Sequence, residues 1–480
     1  MSFSRSRNLD LACGFMCAAV LVAALMSLTR YPDSFDDEGL YAALGVHYVQ
    51  TGIVQAPELT KAVPFDVSDG TCNREAPAVF GLVGKWAGYS LATARVISLV
   101  QILISAVLFF FVSALLGISG WLGALLFVST ERIFYAAHVF RPEASLVLVN
   151  TAFVLLIVLG YRRGALSEKM SFARGLLNAP LVMAHGNGLS TALINSAEIL
   201  SGPLQGRKRF LRDGIVYFLG SSAAILVFYL VHVRDIGWSK LFEQLSLGNP
   251  QAQAKGGLWD TIMRDISIRW GRELIIVGNS AAAKVLRFYF YGVILATSIW
   301  SVVASPGIAR RMALLSLGCF VAYIFVVQDK IDIHIAEMIP YFMASFIAWF
   351  VAARECFKQW TWLPSAAVLS ILLTGLSLCV HHTVKYRGDS SPERNARPLN
   401  AFLARQTYRP RYETFVGRME YWFMYRDAGK FVSLRYLSEH LPLSGGVIAI
   451  GDPSWYAKPL ASCRIDYVDP GLNFSALTCP

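Results

Sequence analysis

Residues 11–28 read LACGFMCAAVLVAALMSL, and close behind them comes Asp33-Ser34-Phe35-Asp36-Asp37-Glu38-Gly39-Leu40-Tyr41. The first stretch carries no charge and is long enough to cross a bilayer as a helix. The second places four carboxylates in six residues at the water boundary, where mutual repulsion works against them. An apolar span running into an acidic stretch makes the chain a membrane protein and makes its first loop the place to look for chemistry.

Working outward, apolar runs of roughly 20 residues recur along the chain, which is what transmembrane helices need. Of the 480 residues, 55% are hydrophobic and only 16% charged, with a mean hydropathy of +0.48. Soluble proteins carry about 25% charged residues. The pattern predicts a polytopic α-helical membrane protein of about eleven spans. Their limits are near 11–29, 95–117, 119–136, 144–160, 175–186, 189–204, 213–233, 286–304, 311–327, 338–352 and 361–381. The Arg5/Arg7 start could open a signal peptide, but the apolar run is long and no small-residue cleavage site precedes the acids, so an uncleaved first span is favoured.

Orientation follows from the short basic loops. Arg162, Arg163, Lys169 and Arg174 fall on the same side as Arg207, Lys208, Arg209 and Arg212, then Arg310 and Arg311, then Arg354 and Lys358. Excess Lys and Arg marks the cytoplasm. The expectation is an inner (plasma) membrane protein with a cytoplasmic N-terminus and an extracytoplasmic C-terminus. The net charge of +11 is therefore assigned to cytoplasmic loops and anionic lipid. No basic run is interleaved with aromatics, so no nucleic acid is expected.

Residues 1–384 form the membrane module and 385–480 a small extracytoplasmic α/β domain. Long outer loops are expected at 30–94 and 234–285. Over residues 31–76 there are eight acids and two bases, a net −6. Asp37–Gln50 reads as an amphipathic helix, with Leu40, Leu44 and Tyr48 at helical spacing, ended by Thr51-Gly52. Pro77–Tyr89 reads as a second helix; its Trp86 and Tyr89 suit a water–lipid boundary. In the tail, Ala428–His440 looks helical and Gly446–Asp452 looks like a strand ending in a turn. The eight cysteines show no metal spacing. A Cys463–Cys479 disulfide follows if that side is oxidising.

Five places could carry chemistry. Asp36, Asp37 and Glu38 open a helix, and capping explains one or two acids there. Three in a row at a low-dielectric boundary suit a general base. Arg74 and Glu75 open the second surface helix, where Glu75 could equally be a first-turn acid. Arg141, in His138-Val139-Phe140-Arg141-Pro142-Glu143, is a fixed cation able to bind phosphate. His185 and Asn187, in His185-Gly186-Asn187-Gly188, sit in an outer turn. Lys330 and His334, with Glu337 and Tyr341 following, belong to another outer loop and could meet an anion. No P-loop, GxSxG, HExxH or Rossmann signature occurs.

Asp37-Glu38-x-x-Tyr41 after the first span, the Pro-containing surface helix and Arg141-Pro142-Glu143 after the third span resemble the GT-C glycosyltransferases. The resemblance is to the branch of protein O-mannosyltransferases and lipid A aminoarabinose or galacturonosyl transferases, over roughly residues 10–350. It implies a donor sugar on a polyprenyl phosphate and an acceptor in the envelope: lipid A, another glycan or lipid, or a protein. It implies inversion at the anomeric carbon on the extracytoplasmic face. By the same resemblance Asp37 matches the base and Glu38 its neighbour, with Asp36 one position off, and Arg141 lies near the lipid phosphate. The resemblance leaves a divalent cation open. One departure is Glu75-Ala76-Pro77, which keeps a single proline after an acid. The other readings are a transporter, which would place ionisable residues at the bilayer midplane in repeats, and a non-catalytic envelope-assembly protein.

Overall fold

The computed structural model describes residues 7–29, 36–52, 75–163, 168–185, 188–200, 207–234, 237, 260, 263, 281–326, 332–360, 362–385, 392–405, 412–433, 443–451, 460–471 and 473–480. Its helices in chain order are α1 Arg7–Ser27, α2 Asp36–Thr51, α3 Glu75–Ala87, α4 Leu91–Leu116, α5 Gly120–Val128, α6 Glu131–Ala136, α7 Glu143–Arg162, α8 Glu168–Leu176, α9 Asn178–Ala184 and α10 Gly188–Leu200. They continue as α11 Arg207–Phe228, α12 Ala281–Ala304, α13 Gly307–Val326, α14 Ile339–Cys356, α15 Trp362–Lys385 and α16 Pro392–Arg405. Five strands follow: β1 Thr414–Gly417, β2 Lys430–Ser433, β3 Gly445–Ile450, β4 Arg464–Val468 and β5 Phe474–Cys479. The chain folds as two compact units.

The first unit comprises Met1–Met26, Ser98–Ala137 and Pro142–Val384. Among the described residues seven helices are long and apolar enough to cross a membrane: Arg7–Ser27, Leu91–Leu116, Glu143–Arg162, Arg212–Val231, Ala281–Ala304, Ile335–Cys356 and Trp362–His381. The protein is thus a multi-pass membrane protein. The other four expected spans are shorter or more charged. Residues 119–136 form two helices, α5 and α6, broken at Ser129–Thr130, where both hydroxyls donate to the Leu126 carbonyl. The break starts α6 at Glu131, whose carboxylate meets Arg287 of α12 in a buried ion pair. The expected pair between 175 and 204 is α9 and α10, of 7 and 13 residues. Helix α13 is long enough, and Arg310 and Arg311 open it.

Two groups of buried charges inside this unit are paired, as a low-dielectric interior favours. Glu198 of α10 lies between Arg174 of α8 and Arg311 of α13. Glu337, expected in an outer loop, lies in the short helical turn Asp332–Met338. That residue is buried, accepts from the Tyr323 hydroxyl, and takes the Asn150 side-chain amide on its backbone oxygen at 2.9 Å. Tyr341 is buried too and donates to Asn195 at 3.2 Å.

The second unit gathers three segments distant in sequence: Ser27–Ile97, His138–Arg141 and Lys385–Pro480. Helices α2 and α3 match the two expected helices closely. They cross where Gly45 and Gly81 face each other, and a Cβ on either would strike the opposing backbone. The tail forms a sheet of order β2-β1-β3-β5-β4. Strand β1 pairs parallel with β2 and β3, whereas β5 pairs antiparallel with β3 and β4. The helix expected over 428–440 is corrected at Lys430–Ser433, which is β2. Phe431 and Val432 are aromatic and β-branched, and they bury as strand residues against β1. The expected strand is β3. Cys463 and Cys479 are bridged, joining the start of β4 to the end of β5.

A hydrophobic core shared by the three segments runs through the unit. Tyr41 and Leu44 of α2, Phe80 of α3, Phe140, and Trp422 and Ile448 of the tail all belong to it. Gly39 sits where α2 meets the tail: a Cβ there would collide with the Met419 carbonyl oxygen. The acidic stretch therefore ends in glycine because the tail backbone lies directly on it.

Candidate functional site

Helix α2 begins with the acidic stretch, so the helix N-terminus itself favours negative charge there. Residues 37 and 38 are successive, about 100° apart around the axis. They consequently face different surroundings. The Asp37 carboxylate stays partly accessible, 25% exposed, and accepts from Arg141 Nη1 at 2.7 Å. Arg141 is 6% exposed, so its cation is buried against Asp37 and is not free in solvent.

Glu38 turns inward and is fully buried. Its Oε1 accepts from Arg95 Nε at 2.9 Å and its Oε2 from Arg95 Nη2 at 2.8 Å. Oε1 also accepts the Phe140 backbone N–H at 2.8 Å. The third Arg95 nitrogen, Nη1, donates to the Leu28 carbonyl at 2.8 Å. This is the bidentate fork geometry that makes Arg–carboxylate pairs directional. Beside it, His138 Nε2 and the Ser27 hydroxyl lie 2.9 Å apart. Tyr41 packs edge-on to Phe140, with ring centroids 6.5 Å apart, and contributes core to the site wall.

The structure thus brings together Asp37, Glu38, Arg141 and Tyr41 in one unit. Asp36 lies in the first turn of α2, and its side chain is outside the described residues, as is Arg74. Glu75 opens α3 in the same unit. His185 caps the end of α9 in the other unit, in extended backbone. Asn187 and Lys330 fall outside the described residues; His334 lies in the short helical turn Asp332–Met338, with its side chain outside them. Among the described residues no three His, Cys, Asp or Glu side chains gather as a metal site.

Sequence reading missed Arg95. The signal was available: it is the sole charge in the 26 residues of α4. A lone cation in an apolar run needs a partner, and Glu38 is that partner.

No protein-family model matches the chain, and no curated protein matches it. Solved structures do. ArnT from Cupriavidus metallidurans in the apo state superposes with a TM-score of 0.59 at 13% identity, over 96% of this chain and 97% of that one. The same protein bound to undecaprenyl phosphate gives 0.58 at 15% identity, over 96% and 97%. The Archaeoglobus fulgidus oligosaccharyltransferase, tethered to an acceptor peptide containing the NVT sequon, gives 0.52 at 10% identity, over 99% of this chain and 74% of that one. With the likeness running over nearly the whole length of this chain, the chain shares the fold of these solved structures.

Proposed function

We propose that the protein transfers a sugar from a polyprenyl-phosphate donor to an acceptor in the cell envelope, on the extracytoplasmic face and with inversion at the anomeric carbon. The carrying observation is the Asp37–Arg141 pair: a partly exposed carboxylate and a fixed guanidinium 2.7 Å apart. Asp37 accepts the proton of the acceptor hydroxyl as its oxygen attacks the anomeric carbon. The carbon–oxygen bond to the lipid phosphate breaks with both electrons going to phosphate. Arg141 offsets the charge that develops on the departing phosphate, which a preorganised cation does without rearrangement cost. The fold supports this reading, and one of the solved proteins that share it was crystallised with undecaprenyl phosphate.

The acceptor class stays at lipid, glycan or protein. The site lies on the side of Ser27–Ile97 and the tail, the segments that the basic loops assign to the extracytoplasmic face of the inner membrane. On this reading the N-terminus is cytoplasmic, and the four shorter or more charged helical segments complete eleven crossings. The tail disulfide supports an oxidising side. The test is mass spectrometry of envelope glycolipids and glycoproteins from a deletion strain, complemented by wild type or by Asp37→Asn. A sugar-bearing product should vanish on deletion, return with wild type and stay absent with Asp37→Asn.

A further inference from the structure

The Asp37–Arg141 pair joins two segments that share no secondary structure. Asp37 belongs to α2, and Arg141 ends the short turn His138–Arg141, held locally by its own N–H to the Val139 carbonyl at 3.0 Å. Something must set the distance between them. The residues next to each are Glu38 and Phe140, and these are themselves tied: the Phe140 N–H donates to Glu38 Oε1 at 2.8 Å. Glu38 in turn cannot swing, because both its oxygens are gripped by Arg95. Arg95 cannot swing either, because Nη1 holds the Leu28 carbonyl just past the end of α1.

We infer that Arg95, acting through Glu38, is a positioning residue that fixes the separation of Asp37 and Arg141. This rests on the function proposed above. The end of α1, the start of α2 and the turn carrying Arg141 all hydrogen-bond to one ion pair with both side chains at 0% exposure. A lysine at position 95 would keep the charge but could not span two carboxylate oxygens and a carbonyl in one plane. The prediction is a catalytic defect with the charge retained.

The chain supplies a matched control. Arg287 holds Glu131 in the other unit through the same fork, with Nε to Oε2 at 2.7 Å and Nη2 to Oε1, also buried. Arg95→Lys, Glu38→Asp and Arg287→Lys are compared in full-length protein for melting temperature, transfer kinetics and binding of undecaprenyl phosphate alone. Arg95→Lys and Glu38→Asp should lower kcat by about 100-fold, the order of loss for an ångström of misplacement, and should weaken undecaprenyl phosphate binding. Arg287→Lys, at a comparable loss of melting temperature, should change neither. Arg95→Lys placed on Arg141→Gln should weaken that binding no further, since residues acting as a unit are non-additive.

The inference is overturned if Arg95→Lys behaves as Arg287→Lys does, or if the losses from positions 95 and 141 multiply. Where Arg95→Lys fails to fold, Glu38→Asp decides by the same measurements. If Asp37→Asn and Arg141→Gln leave transfer and binding intact, the site reading itself falls, and the positioning role with it. That outcome is distinct from intact transfer in Arg95→Lys alone.

Discussion

Arg141 Nη1 donates to Asp37 Oδ2 at 2.7 Å across 104 positions of sequence. The bond aims the carboxylate and seats the guanidinium at a partly open edge. Replacing Asp37 by Asn removes the proton acceptor while leaving side-chain volume and the Glu38–Arg95 pair untouched. Transfer should fall by about 10²–10⁴-fold, the usual worth of a positioned base, with the protein's melting temperature little changed. Transfer at the wild-type rate in well-folded Asp37→Asn protein would remove Asp37 from the mechanism.

Arg141 is read as the phosphate-binding cation. Arg141→Gln should lose undecaprenyl phosphate affinity, measured by titration of purified protein. Arg141→Lys should keep part of it, because a lysine preserves charge but not the planar fork. Equal affinity in wild type and Arg141→Gln would assign the phosphate to another cation.

The sequence made the membrane class, helices α2 and α3, the tail strand, and Asp37 and Arg141 as separate candidates legible, because each rests on local period or on charge placed against an apolar background. It misjudged what depends on partners. Residues 119–136 are apolar enough for one span, yet the helix breaks so that Glu131 can reach Arg287, which lies 156 positions on. Residues 430–433 look helical in isolation but become a strand because β1 offers them an edge. Glu38 reads as a twin of Asp37 until Arg95 is seen to occupy it. The helical period alone separates the two faces; only the fold says which face is buried.

That burial makes Glu38 a stability residue as well. Glu38→Ala takes from Arg95 the carboxylate that its Nε and Nη2 donate to, and from the Phe140 N–H its acceptor. Breaking one side of such a pair costs about 3–5 kcal/mol. The melting temperature of Glu38→Ala in detergent should drop sharply, and Glu38→Ala/Arg95→Met should recover much of the loss, since an apolar pair needs no counterion. A double variant less stable than the single one would mean that Arg95 has other partners able to carry its charge.

Gly39 tests how the tail meets the acidic helix. Any side chain there collides with the Met419 backbone, and backbone cannot rotate aside as a side chain would. Gly39→Val should therefore separate Met419 from α2 and open the core shared by Tyr41, Phe140 and Trp422. The expected readout is protease cleavage in the tail at concentrations that leave wild type intact. A tail as resistant in Gly39→Val as in wild type would show that this close approach is dispensable.

The Cys463–Cys479 bridge closes a loop of 16 positions between two antiparallel neighbours. A loop of that length is worth about 3 kcal/mol through restriction of the unfolded chain. Changing both cysteines to serine should lower the stability of the tail by that order, read as a shifted denaturant midpoint. The bridge also reports sidedness. In a variant keeping only these two cysteines, right-side-out vesicles should bind an impermeant maleimide only after treatment with an impermeant reductant. The five unbridged cysteines among the described residues, Cys13, Cys17, Cys319, Cys356 and Cys379, make that stripped background necessary. Labelling confined to inside-out vesicles would put the tail in the cytoplasm and move the whole Asp37 site with it. Labelling without reductant would mean that the thiols are free in the membrane.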